Sequence, residues 1–527
     1  MPLMLDVNPY GKHVAACLSD YFGSSTPWQR RLWAVGTVMS LKEVLEGSDA
    51  VQSSILSEAS FKDLCHAAEI VVGQDPGVGG SEERRLLQAS LHVCPRAGGS
   101  DYIVIRQMLE RIEDGYLERW AQVLSAPSLP SPEKTARAIA THLLDLGFSD
   151  TYLHRWWTYR VQHEPSLRSL AELVRDTHAL AHRPEAKFEV LVPFIGVPGS
   201  HESMPPNWRN STEVSGWLRD NNFDPRELRQ SGGFLLSISA RDVHAGIQRI
   251  SEFVERLSAR VNLGSRSELQ PADQVWIQKE KHPFPLRRSS RGVEIRALAR
   301  ENKLYEQSDT SNVDAALELL GSLNEGPPGP AVAGGWAALE ALLLGPGDGG
   351  DRRIAGDRLA TLVACSFPRA ELTTLAYAHS NKGTDKLKSN IEAANNNRSR
   401  SALIAQAIIN GQALALSSES DRLAEIRLRS LLSKPKLVLR DIEQYATRTL
   451  RRLYRQRNLV LHWGRMNAVC LRAALRTSAP LIGAGVDRIA HAWFTAGINP
   501  LELSARAKIR LELLETSGGV SPIDLLE

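Results

Sequence analysis

The sequence predicts a mainly α-helical protein, with a helical region at the front, a small α+β domain in the centre and a helical bundle at the end. Three observations predict it. Apolar residues recur at helical spacing through most of the chain. Between residues 187 and 240 that spacing gives way to runs rich in β-branched and aromatic residues, the mark of strands. Clusters of Ser, Pro and Gly at 125–132 and 324–330 then cut the chain into segments.

A chain of 527 residues is long enough for roughly three or four domains. The expected division is a helical domain at 1–128, a helical hairpin at 129–165, a small α+β domain at 166–305, a linker at 306–330 and a second helical domain at 331–527. An apolar fraction of 43% and a charged fraction of 23% are those of a soluble globular protein. A formal net charge of +3 is too small to imply nucleic-acid binding, so any such case must be local. Cys17, Cys65, Cys94, Cys365 and Cys470 show no CxxC spacing, which argues against zinc and against a disulfide framework. The expectation is free thiols in a reducing compartment, with no metal and no cofactor. The first residues lack a basic region followed by an apolar run, and no stretch reaches about eighteen apolar residues. A cytoplasmic protein with no membrane span is expected.

At the front, helices are expected at 10–21, 28–45, 61–72 and 102–124. Residues 133–146 and 150–162 read as two helices around Gly147, a hairpin similar in outline to a helix-turn-helix. The second carries Tyr152, His154, Arg155, Trp156, Trp157, Tyr159 and Arg160. Such a mixture can stack on bases and grip phosphate, but aromatics buried in a plain hairpin explain it more simply. Strands are expected at 187–197, 233–240, 275–278 and 293–295, with Pro193 marking a bulge or an edge. A helix at 242–261 follows the second strand, with Asp242 as its N-cap. Lys279, Lys281, Arg287, Arg288 and Arg291 form a basic loop. The final domain reads as helices at 332–344, 355–366, 369–380, 386–395, 402–415, 420–432, 440–463, 467–479 and 484–495, and one more beyond Pro500.

The most informative stretch is Arg457-Asn458-Leu459-Val460-Leu461-His462, near the end of the basic segment at 440–463. Arginine stays charged and can fork two hydrogen bonds onto a phosphate. Histidine gives and takes protons near neutrality. RNA supplies its own nucleophile in the 2′-hydroxyl, so such a pair can break RNA without a metal. On an ideal helix a five-residue spacing turns about 140°. The two side chains therefore meet only if the helix ends or tightens near Trp463-Gly464, and glycine favours such an end. Around the pair lie Arg448, Arg451, Arg452, Arg455, Arg465 and Arg472, against only Asp441 and Glu443. That stripe is expected to bind RNA.

Arg-Asn-x3-His at the end of a late basic helix resembles the signature of the HEPN superfamily of helical RNases and nucleotide-binding domains. Gly335-Trp336-Ala337-Ala338-Leu339-Glu340-Ala341-Leu342-Leu343, followed by Asp357-Arg358-Leu359-Ala360, is similar to the first helices of its branch named after bacterial abortive phage-exclusion proteins. The resemblance covers about residues 333–510. It implies a dimerising helical bundle and a metal-independent endoribonuclease of antiphage or toxin-type defence. It makes Arg457 and His462 catalytic, Asn458 the polar residue that sets the pair, and Glu340 a supporting acid. The implied partners are RNA and a second copy of the chain; a phage-derived trigger or a partner protein is expected at the N-terminal half. Two other readings stand beside it: a non-catalytic dimerisation and RNA-binding module, and a DNA-binding regulator using residues 150–162.

Overall fold

A computed structural model describes residues 8–162, 169–197, 204–265, 268–286, 290–308, 311–517 and 519–527. The protein is mainly helical with a small antiparallel sheet in the middle of the chain. It divides into two compact units. The larger gathers the described residues of Met1–Asp145, Trp157–His178 and Arg291–Glu527, the smaller those of Leu146–Trp156 and Ala179–Ser290.

The larger unit begins with α1 (Pro9–Phe22), α2 (Thr37–Gln52), α3 (Glu58–Gln74), α4 (Ser81–His92), α5 (Ser100–Val123) and α6 (Pro132–Asp145). A 3-10 turn, Trp28–Arg30, fills the start of the helix expected at 28–45, which instead begins at Thr37. Two helices, α7 (Asp150–Gln162) and α8 (Leu170–Ala181), are shared between the units. The smaller unit holds β1 (Ala186–Gly196), β2 (Trp208–Asn210), α9 (Ser211–Asp220), β3 (Gly232–Ala240), α10 (Val243–Gly264), β4 (Gln270–Pro271), β5 (Gln274–Ile277) and β6 (Phe284–Pro285). The larger unit resumes with α11 (Ala297–Arg300), α12 (Asn312–Glu325), α13 (Pro328–Leu343), α14 (Ile354–Lys382), α15 (Lys386–Ala393), α16 (Asn397–Ile409), α17 (Glu419–Ser433), α18 (Pro435–Trp463), α19 (Leu471–Ala496) and α20 (Pro500–Glu512).

In the smaller unit β1 is central, paired antiparallel with β3 on one side and with β4 and β5 on the other. The register sets Val190 opposite Leu236 and Val192 opposite Phe234. Period-2 alternation then sends Val190, Val192 and Phe194 into one core with Ile247, Ile250 and Val254 of α10. Leu191 goes to the opposite face, with Val214 and Leu218 of α9. Pro193 sits where β1 leaves β5 for β4, next to the register shift at Phe194 and Gly196. Asp242 caps α10 through Ala245 N (2.9 Å) and also accepts from Ser149 N (2.8 Å) and Ser149 Oγ (2.7 Å).

Several expectations are corrected. Residues 293–295 form no strand; they lie in the larger unit, packed on α19 so closely that a Cβ at Gly483 would meet Glu294 N at 2.7 Å. The helix that the spacing indicates at 313–323 within the linker at 306–330 is present as α12, but Val313, Ala316, Leu320 and Leu323 are buried in the main core, so the segment is not a linker. Neither Pro368 nor Pro480 ends a helix: each lies inside one, in α14 and α19. An internal proline costs about 3 kcal/mol. Leu362, Val363 and Phe367 before Pro368, and Leu372 and Leu375 after it, are all buried, and each is worth about 1.5–3 kcal/mol. Burial on both sides outweighs the lost hydrogen bond. In the basic loop, Arg287 and Arg288 lie outside the described residues, while Arg291 belongs to the larger unit and donates to Leu323 O (2.9 Å) and Gly326 O (2.7 Å). The boundaries expected at 128 and 330 both involve one body, because α2 and the 3-10 turn hold α14, α17 and α18 through buried ion pairs.

Candidate functional site at the end of α18

The apolar faces of α18 are buried through Leu439, Ala446, Leu450, Leu453 and Leu459. The helix runs to Trp463 and stops at Gly464, whose φ of 67° and ψ of 13° place it in the left-handed region. The amides of Gly464 and Arg465 both return to Leu459 O. That is the glycine end the sequence indicated, since glycine adopts this conformation without a Cβ penalty. It leaves His462 exposed in the last turn.

The ending brings the candidate pair together. Arg457 Nη1 donates to His462 Nε2 at 3.0 Å and to Asn458 Oδ1 at 3.0 Å. A guanidinium has only donors, so Nε2 accepts and the imidazole carries its proton on Nδ1. Asn458 is buried and Arg457 half-buried. The three side chains converge on one nitrogen: a fixed cation, an amide that orients it and a ring whose proton-accepting lone pair points at it. The geometry can bind an anion and exchange a proton beside it.

The arginine stripe behaves differently. Arg452 and Arg455 are 7% and 4% exposed and both grip Glu43 of α2, itself 2% exposed. Arg452 Nε donates to Glu43 Oε2 (2.8 Å) and Arg455 Nε to Oε1 (3.0 Å), with Arg455 Nη2 also within 2.9 Å of Oε1. Burial alone would raise the Glu43 pKa, but the two guanidiniums outweigh it and hold it below the ordinary value. Arg451 is forked on Asp357 (3.0 and 2.9 Å) and also reaches Asp63 (2.9 Å). The expectation that Arg451, Arg452 and Arg455 line an RNA groove is therefore corrected: their charge is spent on carboxylates, and two of them are buried. Arg465 lies 3.9 Å over the Trp463 ring and touches Glu46 Oε1 at 3.3 Å. Glu46, on α2, also accepts from Val469 N. Burial raises its pKa despite these bonds. Arg448 lies 6.0 Å over Tyr445 and pairs with no carboxylate among the described residues.

Glu340 does not join the pair. It accepts from Trp336 Nε1 (2.9 Å) and from Arg352 Nη1 (2.8 Å). A Cβ at Gly329 would meet Met466 and Val460, whereas Trp336 packs on Tyr454 at 4.9 Å. α13 therefore runs antiparallel to α18, and Glu340 lies roughly 16 Å along it from the end nearest His462.

Two residues of α2 that the sequence reading passed over, Glu43 and Glu46, hold α18 and the chain just beyond it. Their signal was an acid pair spaced three apart, one helical turn, flanked by the apolar residues Leu41, Val44 and Leu45. The aromatic row of α7 splits in two. Trp157 is buried and Tyr159 exposed, Arg160 pairs with Asp176 (3.5 Å), and Arg155 Nη1 meets His244 Nε2 at 3.2 Å. Burial, helped by Arg155, holds the His244 pKa low. All five cysteines are free thiols; Cys94 is half-buried and the others are buried. Among the described residues no helix is long and apolar enough to cross a membrane, and no group of three or more His, Cys, Asp or Glu side chains could hold a metal ion. No family model, no curated protein and no solved structure matches the chain.

Proposed function

We propose that the protein is an endoribonuclease that cleaves RNA without a metal, through Arg457 and His462. The observation that carries this reading is the 3.0 Å contact between Arg457 Nη1 and His462 Nε2 at an exposed helix end. A phosphate entering beside Arg457 competes for its guanidinium and frees the Nε2 lone pair. His462 then takes the proton of the 2′-hydroxyl, and the 2′-oxygen attacks phosphorus. Arg457 stabilises the charge on the non-bridging oxygens. The bond to the 5′-oxygen breaks, and that oxygen takes a proton from an imidazolium. The products are a 2′,3′-cyclic phosphate and a 5′-hydroxyl. Asn458 keeps Arg457 aimed. In a homodimer of the kind the HEPN resemblance implies, two copies of the pair supply both a base and an acid, and the activity serves antiphage or toxin-type defence.

The test is incubation of the full chain with total RNA in the presence of EDTA. Cleavage ending in cyclic phosphates, lost in both Arg457→Ala and His462→Ala while near-UV circular dichroism is unchanged, is the expected outcome. Undiminished cleavage by either variant overturns the assignment. RNA binding without cleavage selects a non-catalytic RNA-binding module instead.

A further inference from the structure

The front of the larger unit brings two thiols together. α3 and α4 pack antiparallel, in a register set by three contacts. A Cβ at Gly73 would meet the Gln88 amide, Gln88 Nε2 donates to Glu69 O at 3.4 Å, and His92 Nδ1 lies 3.6 Å from Glu69 Oε1. One more turn back along α3 reaches Cys65. The same advance beyond His92 leaves α4 and enters the connection that begins with Val93 and Cys94. The side chains of Cys65 and Cys94 meet there closely enough to share a hydrogen bond.

The two thiols are unequal. Cys65 is 1% exposed, whereas Cys94 is half-buried. Cys94 has a φ of 54°, in the left-handed region that few residues other than glycine occupy. Its backbone is held on both sides: Cys94 N donates to Leu91 O (3.1 Å), and Pro95 O accepts from the buried Ser48 Oγ of α2 (2.6 Å). Held in this way, Cys94 stays against Cys65 without a covalent link. Burial pushes the Cys65 thiol up, Cys94 adds to this, and the Arg455 guanidinium offsets part of it. Cys65 is therefore a poor first target for an oxidant, and the more accessible Cys94 is the better one. Arg455 also grips Glu43, so the thiols lie near the anchor of α18.

We propose that Cys65 and Cys94 form an oxidation site, a dithiol that a hydroperoxide converts to a disulfide. The Cys94 sulfur attacks one oxygen of hydrogen peroxide; the O–O bond breaks, Cys94 becomes a sulfenic acid and the other oxygen leaves as water. The Cys65 sulfur then attacks the Cys94 sulfur. The S–O bond breaks, and the hydroxyl leaves as water with the Cys65 proton. Two thiols and one hydrogen peroxide thus give one disulfide and two waters. Cys65 ionises reluctantly, but it attacks a sulfur it already touches, and that proximity offsets the cost. The bridge ties α3 to the chain just past α4 and involves none of the residues proposed to cleave RNA.

The test is exposure of the full chain to hydrogen peroxide, followed by unfolding in N-ethylmaleimide and mass spectrometry. The expected result is that two of the five cysteines escape alkylation, that they are recovered as one Cys65–Cys94 cross-linked peptide, and that dithiothreitol restores all five. Cys17, Cys365 and Cys470, all buried, should stay reduced. Cys65→Ala should leave Cys94 as a sulfenic acid that dimedone labels, and Cys94→Ser should leave Cys65 reduced and alkylated. Full alkylation of the parent after peroxide, a bridge through another cysteine, or loss of alkylation through sulfinic acid without a bridge overturns the inference.

Discussion

Replacing Glu43 by glutamine tests whether a carboxylate of α2 holds the helix that carries the candidate site. Glu43 is 2% exposed and takes two guanidinium hydrogen bonds, from Arg452 (2.8 Å) and Arg455 (3.0 Å), both buried, with Arg455 Nη2 a further ion-pair contact at 2.9 Å. Removing one partner of a buried ion pair costs about 3–5 kcal/mol, because the remaining charge stays buried without compensation. Glutamine keeps one oxygen but turns an amide N–H2 toward the other arginine, so the full range applies. Against a total stability of about 5–15 kcal/mol, that is about a fifth or more. For a unit of about 400 residues the unfolding entropy is roughly 0.85 kcal/mol/K, so the melting temperature should fall by roughly 4–6 °C. A thermal melt followed by tryptophan fluorescence reads it directly. The triple variant Glu43→Leu, Arg452→Met, Arg455→Leu should recover most of the loss, since apolar residues of similar volume replace buried ion pairs at little cost. A Glu43→Gln protein that melts within about 2 °C of the parent would refute the reasoning. Acid unfolding gives a second reading. Burial pushes Glu43 and Glu371 up, but their guanidinium partners hold both below the ordinary value of 4.5. Their stabilisation is complete above that value and is lost as the pH falls through the lower, folded one. Glu43→Gln should therefore be less sensitive than the parent to acid below that value. Glu46 and Asp145, raised by burial, act in the opposite sense: the stability linked to their protonation is lost as the pH rises through their folded values.

Three further outcomes are expected. Asn458→Leu should lower the cleavage rate roughly tenfold to a hundredfold with little change in RNA affinity, because it leaves Arg457 present but unaimed; equal loss of affinity and rate would mean that Asn458 itself grips RNA. Gly464→Ala should cost about 1 kcal/mol, measured by urea unfolding. No atom lies within 4 Å of an added Cβ there, so only the left-handed backbone at φ 67° is strained. Asp242→Ala should destabilise the smaller unit by about 2 kcal/mol in calorimetry, since it removes the α10 cap and leaves the Ser149 amide and hydroxyl unpaired.

The sequence revealed most where a feature is local. The Gly464 ending, the Asp242 cap and the period-2 alternation of β1 each depend on a few neighbouring residues and were legible. The meeting of Arg457 with His462 needed one condition, a helix end, and the glycine signalled it. What stayed hidden depends on partners far along the chain. Nothing beside Arg452 or Arg455 indicates that both turn inward to Glu43, roughly four hundred residues earlier, so a run of one charge sign looked like an open face. Prolines mark breaks only while the helix is considered by itself, and the cores on both sides of Pro368 overrode that preference. Residues 293–295 carry strand-forming side chains, but a tertiary surface on α19 took them instead.

The ion pairs along α18 also bear on how an anionic polymer would meet the protein. Cations already matched by carboxylates of their own chain shed few condensed ions when a nucleic acid arrives, so they contribute little to salt-dependent attraction. Arg451, Arg452 and Arg455 are electrically quiet, whereas Arg448 and the tip of the helix are not. On the proposed function, a strand of RNA would thus be held at a few points rather than drawn along a continuous track, and selectivity would come from the fit at the tip instead of the length of the contact.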